Sequence, residues 1–500
     1  MVSKTPFAGS GEWEMRTHGY FDAVPAVKRL SSPFEPERVF HGLYADSPNA
    51  FWLDSSAPGE RGRFSFIGDS QGPLGAVVTY DVEAGLVRVE SGGTVQTLEE
   101  SIFDYLAGAV ESVRGAGSEL PFGFDCGFAG YFGYELKAEC DGAAAHRSPM
   151  PDAAFVFADR MIAFDHEEGH TYLLALGDGK RWAEDTERRL GDLPPLPELP
   201  HFGGGAERTA RASLRRSAER YVEDIESCKR HLAAGHSYEI CLTNEAVFSA
   251  PSDPLLAYRR LRRANPAPFA AFLRFGELAV LSSSPERFLR IGRDGWVEAR
   301  PIKGTAARGD TPGEDAARAA ELRADEKSRA ENVTIVDLLR NDLGRVCELG
   351  TVEVAELFRV ETYETLHQLV SSVRGRLRAE LTSPECIRAC FPPGSMTGAP
   401  KRRTMEILDQ LEGRARGVYS GAIGYLGAGG DCDLSVAIRT IAVAGGAATV
   451  GAGGAIVAQS DPEAELEEML LKAAAPVAAL QGAVEHSQKR AQAPLLSINL

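Results

Sequence analysis

PERFLRIGRDGWVEARPIKGT, residues 285–305, sets two strand-like runs on either side of Asp294-Gly295. Asp-Gly between such runs is the composition of a two-residue type I′ turn, so the segment reads as an antiparallel hairpin. In that register Arg293 faces Trp296, Phe288 faces Pro301 and Glu286 faces Lys303, with the Cβ atoms of a pair about 5 Å apart. Pro301 has no N–H to give to the ladder, so a bulge there would slip the pairing by one residue.

The Glu286–Lys303 pair has two readings. On a wet surface it is a salt bridge worth about 0–1 kcal/mol. In a dry cavity the same two groups can hold their protons as amine and carboxylic acid, because desolvation favours the uncharged forms. That state would set a nucleophile beside a general acid. Spacing alone leaves both open.

Outward from the hairpin, GDLPPLPELPHFGGGAERTARAS (191–213) is too rich in proline and glycine to continue a helix or a central strand. It divides the chain into a strand-rich N-terminal α+β region, 1–190, a linker, 191–213, and a region 214–480 in which amphipathic helices alternate with strands. Helices are expected over SAERYVEDIESCKRHLAAGHS, closed by Gly235, and over the single run ELRADEKSRAENVTIVDLLRNDLGRV (321–346). Two more are expected, one with Pro400 in its first turn and Gly413 at its end, the other opening with Asp461 as N-cap and Pro462 behind it. Residues 485–500 read as a loose polar tail. The fold class is α+β, with antiparallel sheets covered by helices.

The formal charge of −17 argues against nucleic acid as partner. No run approaches the ~20 apolar residues of a membrane helix. MVSKTPFAGSGEWEMR lacks a signal-peptide core. Eight cysteines without CxxC pairs fit a reducing cytoplasm, and Cys386 and Cys390 read as packing residues.

Two further patterns bear on chemistry. In EAELEEMLLKA, Glu465, Glu468 and Lys472 can share one helix face, and Glu331 lies on another helix with an apolar opposite side. Carboxylates from two helices could converge on Mg²⁺, or simply face solvent. TVGAGGAIVAQSDPEAE (449–465) reads as a strand, a glycine run, a strand-like exit and a helix start; the glycines could bring backbone amides to an anion, or be an ordinary turn. It is neither a P-loop nor a dinucleotide fingerprint. Nearby, Arg439 on an apolar strand calls for an anionic partner such as a carboxylate.

Taken in order, SSSPERF (282–288), PIKGT (301–305), AENVTIVDLLRNDLGRV (330–346), PPGSMTGAPKRR (392–403), GAIGYLGAGGDCDLSVAIRT (421–440) and GGAIVAQSDPEAELEEMLLKA (453–473) resemble the chorismate-utilising enzymes. AFWLDSSAPGERGRFSFIG and FAGYFGYEL resemble the same family's N-terminal region. The resemblance implies two packed antiparallel β-sheets flanked by helices, with chorismate and Mg²⁺ between them. It implies Glu331 and Glu468 as metal ligands with Glu465 beside them, and Glu286 as the general acid for the C4 hydroxyl. Tyr419, Arg439 and Lys472 resemble the substrate anchors, and Thr305, Ser395, Gly453 and Ala455 the polar lining.

Within the family, lysine at position 303 resembles the aminodeoxychorismate synthase large subunits, where anthranilate synthases carry alanine. The lysine would attack C2 of chorismate, and ammonia would then enter at C4. Glu239 stands where water-adding members carry a lysine base, which argues against isochorismate or salicylate synthesis. Anthranilate synthase component I is the alternative. His367 and Gln368 depart from the family pattern and receive no role; WLDSS (52–56) departs from the tryptophan-binding motif Leu-Leu-Glu-Ser. No glutaminase constellation is evident, so a separate glutamine amidotransferase subunit is the expected ammonia source.

Overall fold

The computed structural model describes residues 25–57, 62–113, 120–177, 179–199, 212–363, 366–482 and 498–499. Most of the linker and of the tail, and the N-terminal stretch read for a signal peptide, lie outside them. Within the tail, Ile498–Asn499 pairs with Ala212–Leu214, parallel to it.

Among the described residues two large sheets carry the chain, of thirteen and twelve strands. Both take strands from each side of 191–213. The first runs from Ala26–Leu30 through Asn49–Asp54 to Phe269–Phe275, Leu278–Ser284, Ala447–Ile456 and Glu239–Ser249. The second runs from Ile302–Ala307 through Leu366–Arg376, Trp296–Ala299 and Arg287–Ile291 to Ala422–Gly427 and Gly127–Phe132. The N-terminal and C-terminal regions are therefore zipped together by backbone hydrogen bonds.

Aromatic side chains join the facing sides of the sheets: Phe66 meets Tyr425 at 5.7 Å and Tyr131 meets Phe275 at 6.0 Å between ring centroids. The other face of the first sheet is covered by helices. Alternation along one strand serves both faces: Phe51 packs on Phe124, while Trp52 packs on Phe40 and Tyr258 from two helices. Covering both faces explains why the inner strands read as unbroken apolar runs. Among the described residues no helix is long and apolar enough to cross a membrane.

The 321–346 run is not one helix. Asp325 leaves helical geometry at ψ 116° and its carboxylate accepts from the Ser328 backbone N–H at 2.7 Å. It thereby ends Pro312–Ala324 and caps Glu326–Gly344. The other helices fall close to expectation: Ala218–Ala233 with Gly235 beyond it, Lys401–Glu412 with Gly413 left-handed at φ 63°, and Pro462–Leu480 capped by Asp461.

Candidate active site

The 285–305 segment is an antiparallel hairpin, but its register is one residue from the expected one. Arg290 pairs with Glu298 and Ile291 with Val297. The loop has three residues, Arg293 to Gly295, closed by Gly292 N–H to the Trp296 carbonyl, with Gly295 at φ 77°. A left-handed glycine ending a three-residue loop is the alternative to the two-residue turn. Extended to Glu286, this register brings it level with Ile302 rather than Lys303, and the Ile302 backbone N–H donates to the Glu286 carboxylate.

Past Pro301 the strand leaves its hairpin partner and continues along Leu366–Arg376, with a register shift between Ile302 and Thr305. Gly304 sits in that shift at φ 98°, where a Cβ would lie 2.7 Å from the Ser328 hydroxyl. Such a bulge re-aims one side chain. Here Lys303 is 7% exposed, whereas Thr305 is exposed.

The direct partner of Lys303 is Glu239, not Glu286. The amine donates to Glu239 Oε1 at 2.6 Å, reaching from the second sheet to the Glu239–Ser249 strand of the first. Glu239 is fully buried and its Oε2 has no hydrogen-bond partner among the described residues. Burial alone would lower the proton affinity of the Lys303 amine, but Glu239, and behind it Glu331, more than offset this, and the net shift is upward. The resting lysine is thus an ammonium, which corrects the neutral-amine reading. Sequence reasoning noticed Glu239 without pairing it to Lys303; a carboxylate in the otherwise apolar run EICL was the available signal.

Glu286 is buried, with its carboxyl pushed up to about 7 by burial, against the opposing pull of the Ser395 hydroxyl and Lys303. A carboxyl that keeps its proton near neutrality suits a general acid. Glu286→Gln is expected to lower turnover about 10²–10⁴-fold. The wild-type rate should fall as pH rises through about 7, because the acid form is lost there. A pH–rate profile of both proteins checks this.

The carboxylates expected around a metal come from two helices. Glu465 is buried and accepts from Ser460 at 2.6 Å and from Lys327 at 2.7 Å. Lys327 also lies 3.8 Å from Glu331, and Lys472 pairs with Glu468 at 2.6 Å. Burial pushes the Glu331 carboxyl up to about 7. Burial would raise Glu468 too, but Lys472, with Lys327 and Lys303 behind it, outweighs it and the net shift is downward. Among the described residues no three carboxylate, imidazole or thiol groups stand close enough together to hold a metal. Lys327 stands against two of the acids, Glu465 and Glu331, and Lys472 against the third.

The glycine-rich strand Ala447–Ile456 has side-chain reasons for its composition. A Cβ on Gly451 would fall 2.3 Å from the Tyr419 ring, so only glycine lets that buried phenol lie flat on the strand. The Gly453 carbonyl accepts from Lys472 at 3.0 Å. Ala455 pairs with Cys241, two residues from Glu239. Arg439 sits at φ 52°, an uncommon backbone for a non-glycine residue. Burial lowers its proton affinity, and no carboxylate pairs with it among the described residues.

These groups rest on a buried frame that the sequence did not disclose. Arg416 donates to both Glu412 oxygens at 2.8 Å and to the carbonyls of Met396 and Cys241 at 2.7 and 2.9 Å. Glu412 also accepts from the Thr243 N–H and hydroxyl, each at 2.9 Å. The frame thereby ties the Glu239 strand to the segments carrying Ser395 and Tyr419.

A separate cavity of about 240 Å³ opens between the sheets, lined by Asp54, Ser55, Phe122, Phe269, Arg287 and Tyr425. Two of its lining charges are paired: Asp54 accepts from Arg262 at 2.6 Å and Arg287 binds Asp433 at 2.8 Å. It lies apart from Lys303.

The profile of the chorismate binding enzymes matches residues 49–478. An aminodeoxychorismate synthase of Streptomyces pristinaespiralis is 50% identical over 469 residues, which is 91% of this chain and 65% of that protein. A probable chloroplastic aminodeoxychorismate synthase of Oryza sativa subsp. japonica is 42% identical, over 88% of this chain and 54% of its own. Thus the chain spans just under two thirds of the first of these relatives and about half of the second. Anthranilate synthase component 1 of Geobacillus stearothermophilus is 34% identical, over 93% and 95% of the two chains. Among solved structures, anthranilate synthase component I from Streptococcus pneumoniae TIGR4 superposes with a TM-score of 0.70 at 28% identity, over 85% of this chain and 93% of that one. With its sheets, motifs and relatives in agreement, the chain belongs to the chorismate binding enzyme family.

Proposed function

We propose that this chain acts as the chorismate-aminating large subunit of an aminodeoxychorismate synthase, converting chorismate and ammonia to 4-amino-4-deoxychorismate, on the way to 4-aminobenzoate. The observation that carries the reading is a lysine and a carboxyl, Lys303 and Glu286, both buried, in a chain half identical to a protein of that name. Lys303 attacks C2, the two ring double bonds shift, and the C4 hydroxyl leaves as water with the Glu286 proton. Ammonia then enters at C4, the double bonds return, and Lys303 departs as amine. Without a nucleophile at 303, ammonia itself would attack C2. The ammonia would come from a glutamine amidotransferase, in a cytoplasmic setting. Arg439 and Tyr419 would anchor the substrate, the first as an unpaired guanidinium meeting a carboxylate.

The three carboxylates are hard oxygen donors of the kind Mg²⁺ takes, although as they stand they do not all converge on one point among the described residues. Glu465 Oε2 is buried with no hydrogen-bond partner among the described residues. Glu331 and Glu468 would hold Mg²⁺, with Glu465 beside them and Lys327 displaced. When bound, Mg²⁺ would fix a substrate carboxylate and neutralise its charge. Activity is expected to vanish with EDTA and return with Mg²⁺. Glu468→Gln should raise the half-saturating Mg²⁺ concentration by at least about tenfold, as loss of one charged ligand from a small set implies.

The second reading, anthranilate synthase component I, is favoured by the end-to-end match to proteins of that name. Product regiochemistry separates the two. With chorismate, Mg²⁺ and ¹⁵N-ammonium, the proposal expects ¹⁵N at C4; ¹⁵N at C2, or anthranilate, contradicts it.

A further inference from the structure

We propose that Glu239 is the base that takes the proton from Lys303 and holds the amine at its point of attack. The inference rests on the covalent role given to Lys303 above. A lysine paired as ammonium has no lone pair to offer, and its proton needs a destination. Lys303 is buried, and its recorded hydrogen bond runs to Glu239 Oε1 at 2.6 Å. Glu286 cannot serve, because it must deliver its own proton to the leaving hydroxyl. Glu331 stands beyond salt-bridge contact and belongs to the proposed metal site.

Glu239 is suited to the task by what surrounds it. It is fully buried, it follows Ser237 and Tyr238 into an apolar strand, and its second oxygen has no partner among the described residues. A purely structural ion pair has every reason to satisfy both oxygens, since an unpaired buried acceptor is costly. Moving the proton along the existing bond turns ammonium and carboxylate into amine and acid with no change in proton count, so no solvent proton need enter or leave. The lone pair so freed forms the bond to C2. When Lys303 later departs as amine, the proton returns from Glu239 and the ion pair is restored. The other titratable groups facing the pair are Cys241 on the same strand, Glu331, Glu286, and Glu468 and Lys472 from the last helix.

The test uses the full chain with chorismate, Mg²⁺ and ammonium. Glu239→Gln keeps the shape and a hydrogen-bonding oxygen but cannot take the proton. Its kcat for the C4 amine should fall at least about 10²-fold, the usual scale for a lost general base, with the chorismate KM within about threefold. At fixed free ammonia its rate should climb relative to wild type across the alkaline range: the wild type falls as Glu286 loses its proton, while in the variant loss of the Lys303 proton to hydroxide offsets that fall. Glu239→Ala should be restored in part by formate, which fits the vacated space. A Glu239→Gln rate within threefold of wild type, or a loss with neither the alkaline climb relative to wild type nor formate rescue, overturns the proposal and leaves Glu239 a structural partner. Wild type failing to aminate C4 would sink the underlying reading and this inference with it. The wild-type arm therefore distinguishes the two failures.

Discussion

Lys303→Ala is expected to lower formation of 4-amino-4-deoxychorismate by about 10³-fold or more, the scale on which removal of a covalent nucleophile is felt. The reason is regiochemical as well as energetic. Ammonia entering directly meets the ring at C2, so amination at C4 needs a group that first occupies C2 and then leaves. Lys303 is placed for this by the bulge at Gly304, which turns the amine inward between the sheets. Any amination that survives in the variant should therefore carry nitrogen at C2. Chromatography and mass of the products, with ¹⁵N NMR for position, read this out. Unchanged C4 product from Lys303→Ala would remove the lysine from the chemistry.

The largest stability effect is expected at the buried frame. Glu412→Ala strands the Arg416 guanidinium, which is 4% exposed, without its carboxylate, and also strips acceptors from the Thr243 N–H and hydroxyl. Removing one partner of a buried ion pair costs about 3–5 kcal/mol. Urea unfolding should show that loss as a lower midpoint, and activity should fall with it, because the frame spans the segments holding Glu239, Ser395 and Tyr419. A change below about 1 kcal/mol would mean that water reaches Arg416, on the scale of exposed pairs.

The antiparallel class and the helices that end in glycine or start at Asp-Pro were legible because their signals are local. The hairpin at 285–305 was readable to within one residue, and the error came from a loop of three residues where Asp-Gly suggested two. That slip matters, since it moves Glu286 opposite Ile302. The Glu239–Lys303 bond was not legible: the partners are 64 residues apart and lie on different sheets. The break at Asp325 was missed because periodicity carries through it, although Asp is itself an N-cap residue type and Glu326 follows it into the first turn. Helix spacing did place Glu468 beside Lys472, and their 2.6 Å contact is the i,i+4 geometry itself. It could not show Lys327 reaching across to Glu465 on another helix. The sharing of both sheets by the two ends of the chain was equally hidden, since strand partners far apart in sequence leave no local mark.

The central claim is that Lys303 bonds covalently to the ring. Withholding ammonia while supplying chorismate and Mg²⁺ should stall the reaction at that bond. Intact-protein mass followed by peptide mapping should then show a species heavier by one chorismate less one water, with the added mass on the peptide containing Lys303. A chain that turns over chorismate and ammonium to the C4 amine, yet never carries that mass on Lys303 when ammonia is withheld, would contradict the account.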